Sequence, residues 1–245
     1  MTTLIPDNMR ARAKLINVPV ARACIDCAEF AYLNRKAADK ALHAAGIALI
    51  SWYDVKDTQG FLAAKDGKLY LTYRGTESFN DWITDINYVK TNFMGGGRTH
   101  LGFTEAFNWV GELIAHDLED FPETPKIVVG HSLGAALAQM ASIKFNIPEG
   151  YVFGCPRVGN SAFTDRVSKR FHRFEHLTDP VTYIPPRTSF FQVGYALLHW
   201  RLPTLYDRAH RAHLLDGNLH RMVHYRPSAM EYLDAVEALQ KGQIL

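Results

Sequence analysis

Apolar positions along this chain follow two rhythms, one helical and one alternating. Residues 20–44 are rich in alanine, with larger apolar side chains at helical spacing, and predict helix. Three short apolar and aromatic runs follow: IALISWYD (47–54), GFLAAK (60–65) and KLYLTYR (68–74). Each predicts a strand. Asp66-Gly67 joins the last two as a hairpin signal, because a two-residue turn needs positive φ at both positions. Residues 103–120, FTEAFNWVGELIAHDLED, return to helical spacing and stop ahead of Pro122. KIVVG (126–130) predicts a buried strand and LGAALAQMASIKF (133–145) a helix. YVFG (151–154) and RFEHLT (173–178) predict strands, SAFTDRVSKR (161–170) a helix, and 228–240 a closing helix. Strands and helices alternate from 103 onward, the pattern of a parallel sheet covered on both faces. The early hairpin makes that sheet mixed. The expected class is therefore α/β, as one domain over residues 1–245, without repeat, low-complexity tract or linker.

Composition narrows the partners more than the fold. Hydrophobic residues make up 47% of the 245 positions and charged residues 21%, which excludes a disordered chain. A formal charge of +2 on scattered basic residues gives no nucleic-acid surface. The longest uncharged stretch, 127–143, is shorter than the roughly 20 apolar residues of a spanning helix, so no transmembrane segment is expected. The N-terminal stretch is interrupted by Pro6, Asp7, Arg10, Arg12 and Lys14 and does not read as a secretory signal. The expectation is a cytoplasmic protein, or one secreted with its signal removed or by another route. Cys24, Cys27 and Cys155 are too few and odd in number for a disulfide framework. Cys24 and Cys27 share one helical face and read as buried structural thiols.

The chemistry concentrates at Gly130-His131-Ser132-Leu133-Gly134. The motif closes the strand KIVVG and opens the helix that follows, the setting of a nucleophile elbow. Glycine is required at 130 and 134 because the turn is tight. Such a turn lifts Ser132 above the sheet and puts the Leu133 N–H at a helix N-terminus, able to donate to an oxyanion. The competing reading is a strand–helix junction with Ser132 as a helix cap. A serine nucleophile needs a histidine base and an acid to orient it, here in the order Ser, Asp or Glu, His. Asp179 follows a predicted strand and precedes Pro180, at a strand's C-terminal end. Asp165 reads as an exposed helix position, while Asp207 and Asp216 remain alternatives. The later histidines are His199, His210, His213, His220 and His224. His220, in a loop-like segment before the last helix, is preferred by position, with His224 as its competitor. His210-x-x-His213 and His220-x-x-x-His224 have ligand-like spacing. Without His-Glu-x-x-His and with one cysteine after residue 27, no metal and no cofactor are expected.

Several segments together resemble the class 3 lipases, the fungal-type triacylglycerol lipase family. They are Arg74-Gly75-Thr76 with Asp81-Trp82 and Asp85, His100-x-Gly102-Phe103, and the elbow through Ala138. Phe153-Gly154-Cys155-Pro156-Arg157-Val158-Gly159-Asn160 and His176-x-x-Asp179-Pro180-Val181 with Pro185-Pro186 complete the set. They keep family order over about residues 70–190. The resemblance implies an α/β-hydrolase fold with a mostly parallel mixed sheet, helices on both faces and a helical lid. It implies Ser132 as nucleophile, Asp179 as acid and His220 as base, since His220-x-Met222-x-x-Tyr225 resembles the family's closing segment. It further implies Thr76 as a second oxyanion donor beside Leu133.

Between Thr76 and Gly95, Phe79, Trp82, Ile83 and Ile86 fall on one helical face, with Asp81 and Asp85 off it. Residues 77–97 are therefore a candidate lid, with Gly95-Gly96-Gly97 as a hinge. An ordinary surface helix fits the same pattern. The apolar run 189–200 suits either a pocket wall or a buried helix. The function expected is ester hydrolysis through an acyl-enzyme, on acylglycerols or other fatty acyl esters at a lipid–water interface. The alternatives are a phospholipase, an aromatic-acid esterase or a non-catalytic interaction module.

Overall fold

The computed structural model describes residues 10, 13–76, 89–167, 170–176, 179–184, 198–202 and 221–243. Side chains of 198–202, 223 and 224 are outside that set. Helices α1 (Val18–Phe30) and α2 (Arg35–Ala44) precede the sheet. The predicted helix over 20–44 is thus broken. The Asn34 side chain accepts from the Ala37 N–H at 3.0 Å and starts a second helix with its own cap.

Strands β1 (Ala48–Val55), β2 (Thr58–Lys65) and β3 (Lys68–Tyr73) form an antiparallel meander. Asp66 and Gly67 both take positive φ, 49° and 69°, as the hairpin signal requires. A small hairpin of β4 (Lys90–Asn92) and β5 (Arg98–His100) precedes α3 (Leu101–Glu119). Then come β6 (Lys126–His131), α4 (Leu133–Lys144), β7 (Glu149–Phe153), the short α5 (Ser161–Thr164), β8 (Arg170–His176), β9 (Leu198–Leu202) and α6 (Met222–Gln240). The large sheet has the order β1-β2-β3-β6-β7-β8-β9, parallel from β3 onward.

Alternation along the strands fills two cores. Ile127 and Val129 of β6 face α1 and α6, together with Tyr70, Phe153 and Phe174. Val128 faces the other way, toward α3 and α4, with Leu71 and Val152. Helix α4 is buried over its whole first ten residues, from Leu133 to Ser142. A helix apolar all round belongs in such a position, between the sheet and α3.

Four expectations change. The helix over 161–170 is one turn long, because the chain must turn back to enter β8 at Arg170, earlier than 173. The closing helix begins at Met222 and carries Pro227 inside it, where sequence reading places the start after the proline. Residues 198–200 form the last strand of the sheet and not a helix. Gly95-Gly96-Gly97 is not a free hinge. The Arg166 guanidinium donates to the carbonyls of Phe93 at 3.1 Å and Gly96 at 2.7 Å, and a Cβ on Gly97 would lie 2.4 Å from the Phe163 backbone nitrogen. Residues 90–92 of the candidate lid are strand. The lid's apolar stripe, Phe79, Trp82, Ile83 and Ile86, lies outside the described residues.

Candidate active site

The candidate residues gather at the C-terminal ends of three parallel strands. Thr76 follows β3, Ser132 follows β6 and Asp179 follows β8. Beta6 lies beside β3, and β7 alone separates it from β8. Open α/β sheets build sites along that edge.

Ser132 sits in a strained turn, at φ 57° and ψ −126°. For a residue with a side chain this costs about 1–3 kcal/mol and persists only where packing enforces it. Packing does so here through the two glycines. A Cβ on Gly130 would lie 2.1 Å from the Gly134 carbonyl oxygen, and one on Gly134 would lie 2.2 Å from the Tyr73 carbonyl oxygen. Helix α4 therefore presses against the ends of β3 and β6. The Ser132 N–H donates to the Phe153 carbonyl at 3.1 Å, tying the turn to β7. Its hydroxyl makes no capping bond to α4 and has no partner among the described residues, although it is buried. The helix-cap reading of Ser132 therefore fails. Leu133 is the first residue of α4, so its N–H has no carbonyl within the helix to bond. The Thr76 hydroxyl is likewise buried and without a partner among the described residues.

Asp179 is fully buried. One carboxylate oxygen accepts from the Val181 N–H at 2.9 Å, and the other from the Tyr225 hydroxyl at 2.5 Å. Burial first, and the Asp179 charge second, hold the Tyr225 phenol well above its ordinary pKa. It stays protonated and is the donor in that bond. The same hydroxyl accepts from the His176 N–H at 3.2 Å. The Tyr225 bond to the Asp179 carboxylate, being charge-assisted, contributes about 1.5–3 kcal/mol. In the sequence, Tyr225 stands out only as part of a motif. Its spacing after His220 was the available signal, and its partner was not visible.

The His131 ring stands edge-on between two tyrosines. Its Nδ1 lies 2.6 Å from the Tyr32 hydroxyl, and its ring centre is 5.7 Å from that of Tyr225. Neither Tyr32 nor His131 was expected as a site residue. Asp165 is exposed, at the end of α5. Asp207, Asp216 and the side chains of His199, His210, His213, His220 and His224 lie outside the described residues. Arg221, immediately after His220, stands at the N-terminal boundary of the helix that brings Tyr225 to Asp179. The three cysteines are buried and free. Burial pushes the Cys27 thiol up to about 12 and the Cys155 thiol to about 11, so neither is a thiolate at neutral pH.

A mixed sheet, a glycine-flanked serine turn between strand and buried helix, and an acid two strands away define an α/β-hydrolase. Residues 70–189 match the family model described as lipase (class 3), and over that stretch the chain is similar to that family. It is 32% identical over 156 residues to the secreted mono- and diacylglycerol lipase A of Penicillium cyclopium, covering 58% of this chain and 50% of that protein. Against a lipase of Rhizomucor miehei the identity is 31% over 157 residues, covering 56% and 43%. The chain spans about half the length of these curated relatives. The solved structure of lipase II from Rhizopus niveus superposes with a TM-score of 0.62 at 26% identity, covering 72% of this chain and 78% of that one. Among the described residues, no helix is long and apolar enough to cross a membrane.

Proposed function

We propose that this chain hydrolyses carboxylic esters of the acylglycerol class through an acyl-enzyme on Ser132. The observation that carries the reading is the strained turn at Ser132, which holds a buried hydroxyl without a partner among the described residues beside the Leu133 N–H at the start of α4. In this mechanism His220 removes the Ser132 proton as the oxygen attacks the ester carbonyl. Asp179, held by Tyr225 and Val181, orients and stabilises the imidazolium. The carbonyl oxygen becomes an oxyanion on the N–H groups of Leu133 and Thr76. His220 then protonates the leaving alcohol, and water repeats the sequence to release the acid and restore Ser132. The acylglycerol class is supported by the similarity to the mono- and diacylglycerol lipase of Penicillium and to the class 3 lipases. The apolar stripe Phe79, Trp82, Ile83 and Ile86 is assigned to the lipid side on its spacing alone.

Hydrolysis of a p-nitrophenyl ester series from acetate to palmitate, by wild type and Ser132→Ala, tests this. The expected loss in the variant is about a thousandfold or more. A preference for long chains, with release of fatty acid from mono- and diacylglycerol, supports the substrate class. Equal turnover by the variant contradicts the reading, and turnover confined to acetate or to phospholipid overturns the acylglycerol assignment.

A further inference from the structure

The two oxyanion donors belong to separate segments, and the β3–β6 ladder does not reach both. Its last pair is Tyr73 with Gly130. Beyond it, the Arg74 N–H turns away to the Gln59 carbonyl at 2.9 Å. Gly75 then runs beside the elbow without a ladder bond to it among the described residues. A Cβ there would lie 2.9 Å from both the His131 carbonyl oxygen and the Ser132 Cβ, and 2.3 Å from the Tyr32 hydroxyl. Tyr32 comes from the turn after α1, and its N–H is fixed to the Glu29 carbonyl at 3.1 Å. Its hydroxyl meets His131 Nδ1 at 2.6 Å, and the Arg74 guanidinium lies 5.5 Å from its ring centre. One phenol therefore touches both segments at their seam. The His131 ring continues to Tyr225, whose hydroxyl holds Asp179.

We propose that Tyr32 and His131 are positioning residues that set the spacing of the oxyanion donors Thr76 and Leu133. This rests on the ester-hydrolase reading above. Among the described residues, neither side chain bonds the Ser132 hydroxyl. The phenol fills the gap that Gly75 leaves open, and its bond to the imidazole fixes the first segment against the second. Oxyanion stabilisation depends on donors held within a few tenths of an ångström of the transition state's oxygen. Loss of the bond therefore lowers turnover and leaves substrate binding in place, since the oxyanion forms only after binding.

The test measures kcat and KM on p-nitrophenyl butyrate, per active site titrated with diethyl p-nitrophenyl phosphate, together with Tm. Wild type is compared with Tyr32→Phe, His131→Asn, His131→Leu and the double variant Tyr32→Phe/His131→Leu. Tyr32→Phe and His131→Leu are expected to lose about tenfold in kcat with KM within twofold of wild type. His131→Asn keeps a polar atom near the Nδ1 position and is expected to recover most of that loss. The double variant is expected to be no worse than the poorer single one, because both changes remove one bond. A kcat within twofold of wild type in Tyr32→Phe overturns the proposal, whatever happens to Tm. So do losses that multiply in the double variant, or His131→Asn no better than His131→Leu. If wild type fails to titrate at Ser132, the hydrolase reading falls and this inference with it. If Ser132 titrates normally and Tyr32→Phe is unchanged, the inference alone falls.

Discussion

At the scale of single residues, burial has made several ionisable groups choose one form. His172 packs against Tyr151 with ring centres 4.5 Å apart, nearly parallel. Burial first, and the Arg170 charge second, push its pKa down to about 4. In the unfolded chain the same group titrates near 6.5. Above about pH 6.5 both states hold it neutral and it contributes no pH dependence. Between about 6.5 and 4 the unfolded chain takes up a proton that the folded one refuses, so stability falls as pH falls. Urea unfolding of wild type and His172→Phe should therefore diverge with acid. The wild type is expected to lose about 2 kcal/mol more than the variant between pH 7 and 4.5. Parallel losses contradict a neutral buried imidazole. Ser132 and Asp179 were legible as residues because the glycines and the strand before each announce the turn. Tyr225 and Tyr32 act through partners 46 and 99 positions away in sequence, and no local pattern carries that information.

At the scale of elements, the elbow is a junction between α4 and two strands, and Gly134 is where they touch. Alanine there would place its Cβ 2.2 Å from a β3 carbonyl oxygen and 2.8 Å from the Arg74 carbonyl carbon, both backbone atoms that cannot rotate away. Gly134→Ala is expected to cost about 3 kcal/mol, at the high end for overpacking, and to reduce activity in the molecules that do fold. Chemical denaturation measures the first and active-site titration the second. A neutral substitution contradicts the close approach. The strands were legible because β-branched and aromatic residues alternate between two cores. Element ends were less so. Asn34 restarts a helix by a side-chain bond, and Pro227 stands inside α6, whose preceding turn is anchored by Tyr225 on β8 and Asp179. Gly95-Gly96-Gly97 reads as a flexible run, but Arg166, some 70 positions later, clamps it.

At the scale of the whole molecule, the parallel sheet brings Thr76, Ser132 and Asp179 to one edge from segments spread over a hundred residues of chain. Two cores support that edge, one under α1 and α6 and the other under α3 and α4. Alpha6 links the first of them to the site, since Arg226 pairs with Asp26 of α1 at 2.7 Å while its neighbour Tyr225 holds Asp179. The proposed function requires this assembly to make Ser132 a nucleophile. Diethyl p-nitrophenyl phosphate reports it directly. The serine oxygen forms a bond to phosphorus and p-nitrophenolate leaves, giving a stable adduct that peptide mass spectrometry locates. Stoichiometric phenolate release is expected, with the diethylphosphoryl mass on the peptide containing Ser132 and no adduct on Ser132→Ala. Label on another residue, or equal labelling of the variant, contradicts it.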